Sequence, residues 1–190
     1  MLHSTLGRVR QFRSDHDGVA ATEFAMILPF MLVLFIGAVE TTGLLNQDRK
    51  LSRIANSVTD LVAQAQSVSS AEVSSMFDIG DQILAPYTTT TLNIIVASVS
   101  FDEDGDASID WSECKLTCDE WVAGAEPPIT LPDTVASPET SIVVGEASMT
   151  YTPEFSGIFT EYFQRATAYN LSDTFYLQPR LTDTVTCDDC

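Results

Sequence analysis

The longest apolar stretch of the chain runs from Val19 to Val39 and contains a single charged residue, Glu23. As a helix rising about 1.5 Å per residue, it would cover roughly 30 Å, the thickness of a bilayer's hydrocarbon core. It is longer than the apolar core of a signal peptide, and no small-residue cleavage site follows it. The pattern therefore predicts a retained transmembrane helix over residues 19–43, preceded by a leader of residues 1–18.

Helical periodicity continues beyond the apolar stretch. Apolar residues recur there at spacings of three and four, which is typical of an amphipathic helix. One helix is therefore predicted to run on to about residue 66. A second helix is predicted over about 71–84, capped by Ser69 or Ser70 and ended before Pro86.

After the helices, the apolar residues alternate with a period of two, which predicts β-strands. Asp104 and Gly105 separate two alternating runs and predict a hairpin turn. The predicted elements of this part are strands over 92–101 and 107–111, a proline-containing loop over 114–140, a strand over 141–153, a short helix or loop over 155–169 and a final strand ending at Pro179.

Charge is distributed unevenly along the chain. From residue 54 onward there are 22 acidic and three basic residues, a net charge of −19. This charge disfavours nucleic acids and anionic lipid surfaces as partners, and it suits either a solvated acidic surface or a cationic partner. Basic residues flank the apolar stretch on both sides, and those before it indicate a cytoplasmic N-terminus whereas those after it indicate the reverse. The residues in question are Arg8, Arg10 and Arg13 before, and Arg49, Lys50 and Arg53 after.

All four cysteines follow the apolar stretch: Cys114, Cys118, Cys187 and Cys190. An even number of cysteines in an exported domain predicts disulfides. Their spacings, C-x3-C and C-x2-C, also suit a four-thiolate zinc site. Three disulfide connectivities are open.

The start of the apolar stretch, "GVAATEF", resembles the cleavage site of a type IV prepilin. The resemblance implies that a prepilin peptidase cuts after Gly18 and leaves Val19 with a free α-amine. The amine of a neighbouring subunit would then be a cationic partner for Glu23, and Glu23 and Phe24 would contact other subunits. The alternative is an uncut anchor in which Glu23 lies at the interface and reaches water.

The order of further segments resembles the TadE/TadG-like family of the tight-adherence (Flp) pilus system. The matching segments are "GVAATEFAMILPFMLVLFIGAVE", "NQDRKLSRIANSVTDLVAQA", "DEDGDASIDWSE", "SIVVGEASMTYTPEF" and "LQPRL". Members of that family are membrane-anchored minor pilin-like proteins needed for pilus assembly. The chain departs from the family pattern at Gln178, where an arginine is usual.

The resemblance implies an α+β protein in the bacterial inner membrane, with a cytoplasmic N-terminus and one transmembrane helix. The helix would extend into a periplasmic, pilin-like domain over 44–190 and pack on a small antiparallel sheet. Expected partners are other pilin or pseudopilin subunits, the prepilin peptidase and the membrane, with no cofactor. The predicted core combines the apolar stripe of the helix with Phe101, Ile109, Trp111, Ile142, Val144, Met149 and Tyr151.

The acidic segment "DEDGDASIDWSE" allows a second reading. Asp102, Asp104, Asp106 and Glu113 match positions of a calcium-binding EF-hand loop, although the glycine is misplaced and the flanks predict strands. A simple Asp-Gly hairpin accounts for the same residues. The alternative function is an uncleaved, single-span periplasmic adaptor or binding protein, and calcium binding by this segment is one version of it.

Enzymatic activity is not predicted. The two histidines, His3 and His16, both precede the apolar stretch. The exported part therefore has no histidine for a Ser-His or Cys-His pair. A membrane-anchored enzyme with a mechanism that needs no histidine is a third alternative.

Overall fold

The computed structural model describes residues 18–115, 119–157 and 166–190. The described helices and strands are α1 (Val19–Ala63), β1 (Ser67–Val68), α2 (Ser70–Leu84), β2 (Asn93–Phe101), β3 (Ala107–Lys115), β4 (Ser141–Tyr151), β5 (Tyr169–Leu177) and β6 (Thr186–Cys187). A long N-terminal apolar helix followed by a domain with a small antiparallel sheet confirms the predicted α+β class. Most of the predicted leader (1–17) and part of the predicted helix or loop (158–165) lie outside the described residues.

The chain divides into two compact units, one ending at Thr42 and the other running from Gly43 to Cys190. α1 contributes to both. From residue 18 to Thr42 no side chain is buried. In the second unit α1 buries a stripe with helical spacing, which confirms the predicted amphipathic period. The buried residues of α1 are Gln47, Leu51, Ile54, Ala55, Val58, Thr59, Val62 and Ala63.

The predicted second helix is present as α2, and its start is fixed by a reciprocal cap. The backbone N–H of Ser69 donates to the Glu72 carboxylate at 2.9 Å, and the N–H of Glu72 donates to the Ser69 hydroxyl at 3.4 Å. This capping box satisfies two donors that helical bonding leaves free. The helix ends at Leu84, before Pro86, as predicted.

Four strands form an antiparallel sheet in the order β3-β2-β4-β5. The predicted hairpin is β2–β3, and its register shifts between Ser98 and Val99, which makes Asp110 an extra residue on β3. The Asp110 carboxylate accepts hydrogen bonds from the hydroxyls of Ser98 at 2.9 Å and Ser100 at 2.6 Å. These bonds hold the β-bulge in place.

The sheet is covered on both faces, which corrects the prediction of one core against the helix. Trp111 and Met149 share a core with α1 and α2, whereas a second core lies on the opposite face around Trp121. Four of the predicted core residues belong to this second core: Phe101, Ile109, Ile142 and Val144. The prediction failed because a strand buried on both faces loses the polar and apolar alternation that assigns a face. Tyr151 is half-buried.

α1 makes a close backbone approach to β4 at Gly145. A Cβ atom built on Gly145 would overlap the Thr59 hydroxyl, and it would lie 3.1 Å from Thr59 Cβ and 3.3 Å from the Ala55 carbonyl oxygen. Only a residue without a side chain fits this contact. Gly145 therefore sets how tightly the helix packs on the centre of the sheet.

Residues 180–189 tie the ends of the two helices to the sheet. The N–H of Arg180 donates to the Ala63 carbonyl at 2.9 Å, and the indole of Trp111 donates to the Val185 carbonyl at 2.7 Å. The Asp189 carboxylate accepts from the N–H of Ser70, at the start of α2, at 2.7 Å. An anionic group at this end of a helix is stabilised by its free N–H groups and by the helix dipole.

Candidate functional site

The predicted processing site lies at the start of α1. Gly18 forms the turn before the helix, which begins at Val19, and its carbonyl accepts from the N–H of Thr22 at 3.2 Å. A Cβ atom built on Gly18 would meet no heavy atom within 4 Å among the described residues. Both residues that flank the predicted cleavage site, Gly18 and Val19, are exposed in the part of the chain that the structure describes.

Glu23 and Phe24 follow one turn later, and both are exposed on α1. Phe24 is 59% exposed, and α1 contains a stretch with a mean hydropathy of 2.3 in which no residue is buried. By length and composition this stretch can cross a membrane. Other large exposed side chains here are Met26, Ile27, Phe30, Met31, Leu32, Val33, Leu34 and Phe35. A single apolar N-terminal helix of this kind indicates membrane anchoring.

Hydroxyl groups at the far end of this stretch are satisfied within the helix. Thr41 donates to the Gly37 carbonyl and Thr42 to the Ala38 carbonyl, each at 2.8 Å. Internal bonding of this kind suits an apolar environment, where water is not available to polar groups. Glu23 differs, since an ionised carboxylate in hydrocarbon needs a cationic partner.

Among the residues of the candidate calcium loop, the three aspartates share one turn and Glu113 lies apart from them. Asp102 uses one carboxylate oxygen to accept from the N–H groups of Asp104 at 3.0 Å and Asp106 at 2.8 Å. Gly105 has a φ of +85°, the conformation that favours glycine in a tight turn. Glu113 lies in β3, seven residues beyond Asp106, or about 20 Å of extended strand. The segment is a hairpin turn between two strands, which differs from an EF-hand loop between helices.

Cys187 and Cys190 form a disulfide bond, with a Cα–Cα distance of 5.6 Å. Their sulfurs are bonded to each other and so are not thiolate ligands, which disagrees with the alternative of a four-cysteine zinc site. Cys114 lies near the end of β3. Cys118 lies outside the described residues.

A half-buried acid on β4 was not predicted. Burial raises the pKa of Glu146. The pKa of Tyr176 on neighbouring β5 is also raised, by burial first and then by the charge of Glu146. The sequence carried no signal for this pair, because it is created by strand register, with Val144 opposite Tyr176.

Sequence reasoning also missed a basic cavity of about 280 Å³ in the second unit. It was visible in the sequence only as positive charge after the apolar stretch. The lining residues are Asn46, Arg49, Lys50, Arg53, Pro86 and Tyr87.

Comparison with known families gives a match to the model described as TadE-like protein, over residues 18–59. No curated protein and no solved structure matched the chain. The matched segment contains the turn at Gly18, the exposed apolar stretch and most of the part of α1 that packs on the sheet. It confirms the resemblance found in the sequence, and it implies involvement in Tad pilus assembly and contact with other pilus components. Over residues 18–59, the chain is similar to TadE-like proteins.

Proposed function

We propose that this protein is a pseudopilin of a Tad pilus, a minor pilin-like subunit that acts in assembly of the filament. In this proposal α1 anchors it in the bacterial inner membrane. The N-terminus is cytoplasmic and the unit from Gly43 to Cys190 is periplasmic. The observation that carries the proposal is the TadE-like match, which begins at Gly18, the residue before an exposed apolar helix with Glu23 in its second turn.

The chemistry of the proposed site is a charge pair between subunits. A prepilin peptidase cuts after Gly18, and the new α-amine of one subunit lies beside Glu23 of a neighbour at a similar depth in the membrane. Each charge removes the cost of the other in hydrocarbon. The pair therefore sets the register between helices, although its net contribution to stability is small.

The proposed role is structural and requires no catalysis. α1 supplies the surface for packing against other subunits, through Phe24 and the apolar residues around it. The folded unit supplies the contacts outside the membrane. A prepilin peptidase and other pilins or pseudopilins are the proposed partners.

Processing is tested by measuring the intact mass and N-terminal residue of the protein purified from native membranes. We expect the chain to begin at Val19 in cells that contain the prepilin peptidase and to keep the residues before Val19 in cells that lack it. Retention of those residues in both strains would contradict the pseudopilin proposal and leave the uncleaved adaptor.

The charge pair is tested by comparing Glu23→Gln with Glu23→Asp. Gln keeps the shape and removes the charge, so we expect pilus production and co-purification with other pilins to be lost. Asp keeps the charge on a shorter side chain, so we expect partial function. If the Gln variant assembles pili normally while its membrane level is unchanged, the proposed pair does not exist.

A further inference from the structure

The basic cavity is built from one face of α1 and the segment that follows α2. Asn46, Arg49, Lys50 and Arg53 are spaced by three and four residues, so their side chains lie on the same side of the helix. Pro86 and Tyr87 form the opposite wall. All of these residues belong to the second unit, in which the surrounding charge is otherwise strongly negative.

Lys50 is already engaged inside the domain. Its ammonium group donates to the carbonyls of Ile83 at 3.0 Å and Leu84 at 3.2 Å, in the last turn of α2, and lies 5.1 Å from the centroid of the Tyr87 ring. A cation at this end of a helix is stabilised by the free carbonyls. The charge of Lys50 therefore stabilises the end of α2 and is not available to a ligand in the same way as an unpaired group.

The two arginines differ from Lys50. Arg49 and Arg53 are exposed, and neither makes a hydrogen bond or ion pair with any residue that the structure describes. A guanidinium group offers several donors in a fixed plane, which fits two oxygens of a phosphate group. The cavity thus presents two available guanidinium groups beside a tyrosine.

The position of Arg49 and Arg53 on α1 indicates where a phosphate group bound by them would lie relative to a membrane. Leu45, 47% exposed, is the last large exposed apolar residue of α1. Arg49 comes four residues later, or about 6 Å along the helix axis, and the headgroup layer of a bilayer is roughly 5–8 Å thick on each side. Helical side chains also tilt toward the N-terminus, which directs Arg53 back toward this level.

We propose that this cavity binds the phosphate group of an anionic phospholipid in the leaflet from which the second unit emerges. The net negative charge from residue 54 onward disfavours anionic lipids as partners of the domain as a whole. The cavity is a local exception, because its lining is basic. A membrane lipid is favoured over an acidic protein partner because Arg49 and Arg53 follow Leu45, an exposed apolar residue of α1, within about two turns, and helical side chains tilt toward the N-terminus. Tyr87 suits this level too, since tyrosine is enriched at membrane interfaces. The proposal is independent of cleavage after Gly18.

The test is native mass spectrometry of the full chain in detergent, incubated with equal amounts of phosphatidylglycerol and phosphatidylcholine. We expect the wild-type protein to retain one phosphatidylglycerol in preference to phosphatidylcholine. Arg49→Gln and Arg53→Gln should each weaken that preference about fivefold, and the double variant should abolish it. The double variant Arg49→Lys/Arg53→Lys keeps the charge without the planar donors and should retain only part of the preference.

Arg180→Gln is the matched control, because it removes one exposed guanidinium that pairs with Asp60 elsewhere in the domain. We expect it to keep the lipid preference. Unchanged thermal unfolding of the arginine variants, measured by circular dichroism, would show that lost binding is not lost folding. Equal retention of both lipids by the wild type would overturn the proposal. So would displacement of the lipid by millimolar inorganic phosphate, or an arginine-dependent dimer without lipid.

Discussion

The two parts of α1 have the same secondary structure but different surroundings. Up to Thr42 the helix exposes large apolar side chains all around its surface, whereas from Gly43 to Ala63 it buries one stripe against the sheet. A helix that is apolar on all sides needs an apolar environment, and a striped helix needs a folded partner. The comparison shows that one continuous helix has two different surfaces: an apolar one whose length and composition suit a membrane, and a striped one that packs on the sheet.

The largest contrast is expected between two leucines of this helix. Leu51 is fully buried and Leu34 is 61% exposed. Leu51→Ala removes packed atoms from the core and should lower the free energy of unfolding of the domain by about 2–5 kcal/mol. Leu34→Ala, the matched control, should leave it unchanged. Both are measured by urea unfolding of the full chain in detergent, with fluorescence of the buried tryptophans, Trp111 and Trp121, as the signal.

An equal effect of the two leucine variants would show that the helix is one cooperative unit. The two environments would then not be energetically separate. A lower free energy of unfolding in Leu51→Ala alone would show that the two parts of α1 contribute separately to stability.

Two glycines test the same difference between the packed and the exposed parts of the molecule. Gly145→Ala places a methyl group against Thr59 and should lower the free energy of unfolding by roughly 1–3 kcal/mol. Adding Thr59→Ala should recover part of this loss, since the overlapping hydroxyl is removed. Gly37→Ala, in the exposed part of α1, meets no heavy atom within 4 Å among the described residues and should not destabilise the domain. Thermal unfolding of these three variants and of Thr59→Ala alone tests this, and additive effects at residues 59 and 145 would contradict the close contact.

Contacts at the ends of helices should have smaller effects. Asp189→Ala removes the carboxylate that accepts from the N–H of Ser70, so we expect a loss of about 1 kcal/mol from the free energy of unfolding. Asp188→Ala is the matched control, because Asp188 contributes its backbone N–H, which bonds to the Val68 carbonyl. The loss should shrink at high salt, where charge–dipole interactions are screened. Equal stability of the two variants would contradict a capping role for Asp189.

The smallest effect is expected at Glu146, the half-buried acid of the folded unit. Its pKa is raised above the usual value of 4.5 by burial, so the native state holds the proton more tightly than the unfolded state does. The free energy of unfolding should therefore fall as pH rises from about 4.5 to the native pKa, and stay level above it. Glu146→Gln should flatten this slope and be at least as stable as wild type at pH 7. Stability measured at pH steps between 4 and 8 would show whether the slope persists in the Gln variant.

The sequence predicted what depends on local pattern. The period of three and four residues gave α1 and α2, the Ser69 cap and Pro86 gave the limits of α2, and Asp104–Gly105 gave the hairpin. β5 begins at Tyr169, earlier than predicted, because its first residues are exposed and carry no apolar alternation.

What depends on distant contacts was not predictable from the pattern. The division of the core between two faces arises from loop residues such as Trp121, which follow β3 and cover the side away from the helices. The basic cavity arises because Tyr87 is brought beside α1. At the candidate site, Gly18, Glu23 and Phe24 were identified by resemblance. Asp102 and Glu113 are separated along the chain by most of β3, which a residue count against a loop motif does not reveal.

The hydrogen bonds made by residues 180–189 affect the order in which parts of the domain can fold. Their partners, such as Ala63 and Ser70, come more than 100 residues earlier in the chain, and contacts of such long sequence separation form late in folding. In the proposed topology, the contact between the end of α1 and the start of α2 stays incomplete until this distant segment has crossed the membrane. Export would then have to be nearly finished before the unit acquires its final shape, and any binding surface at that contact would form only after the subunit is fully exported.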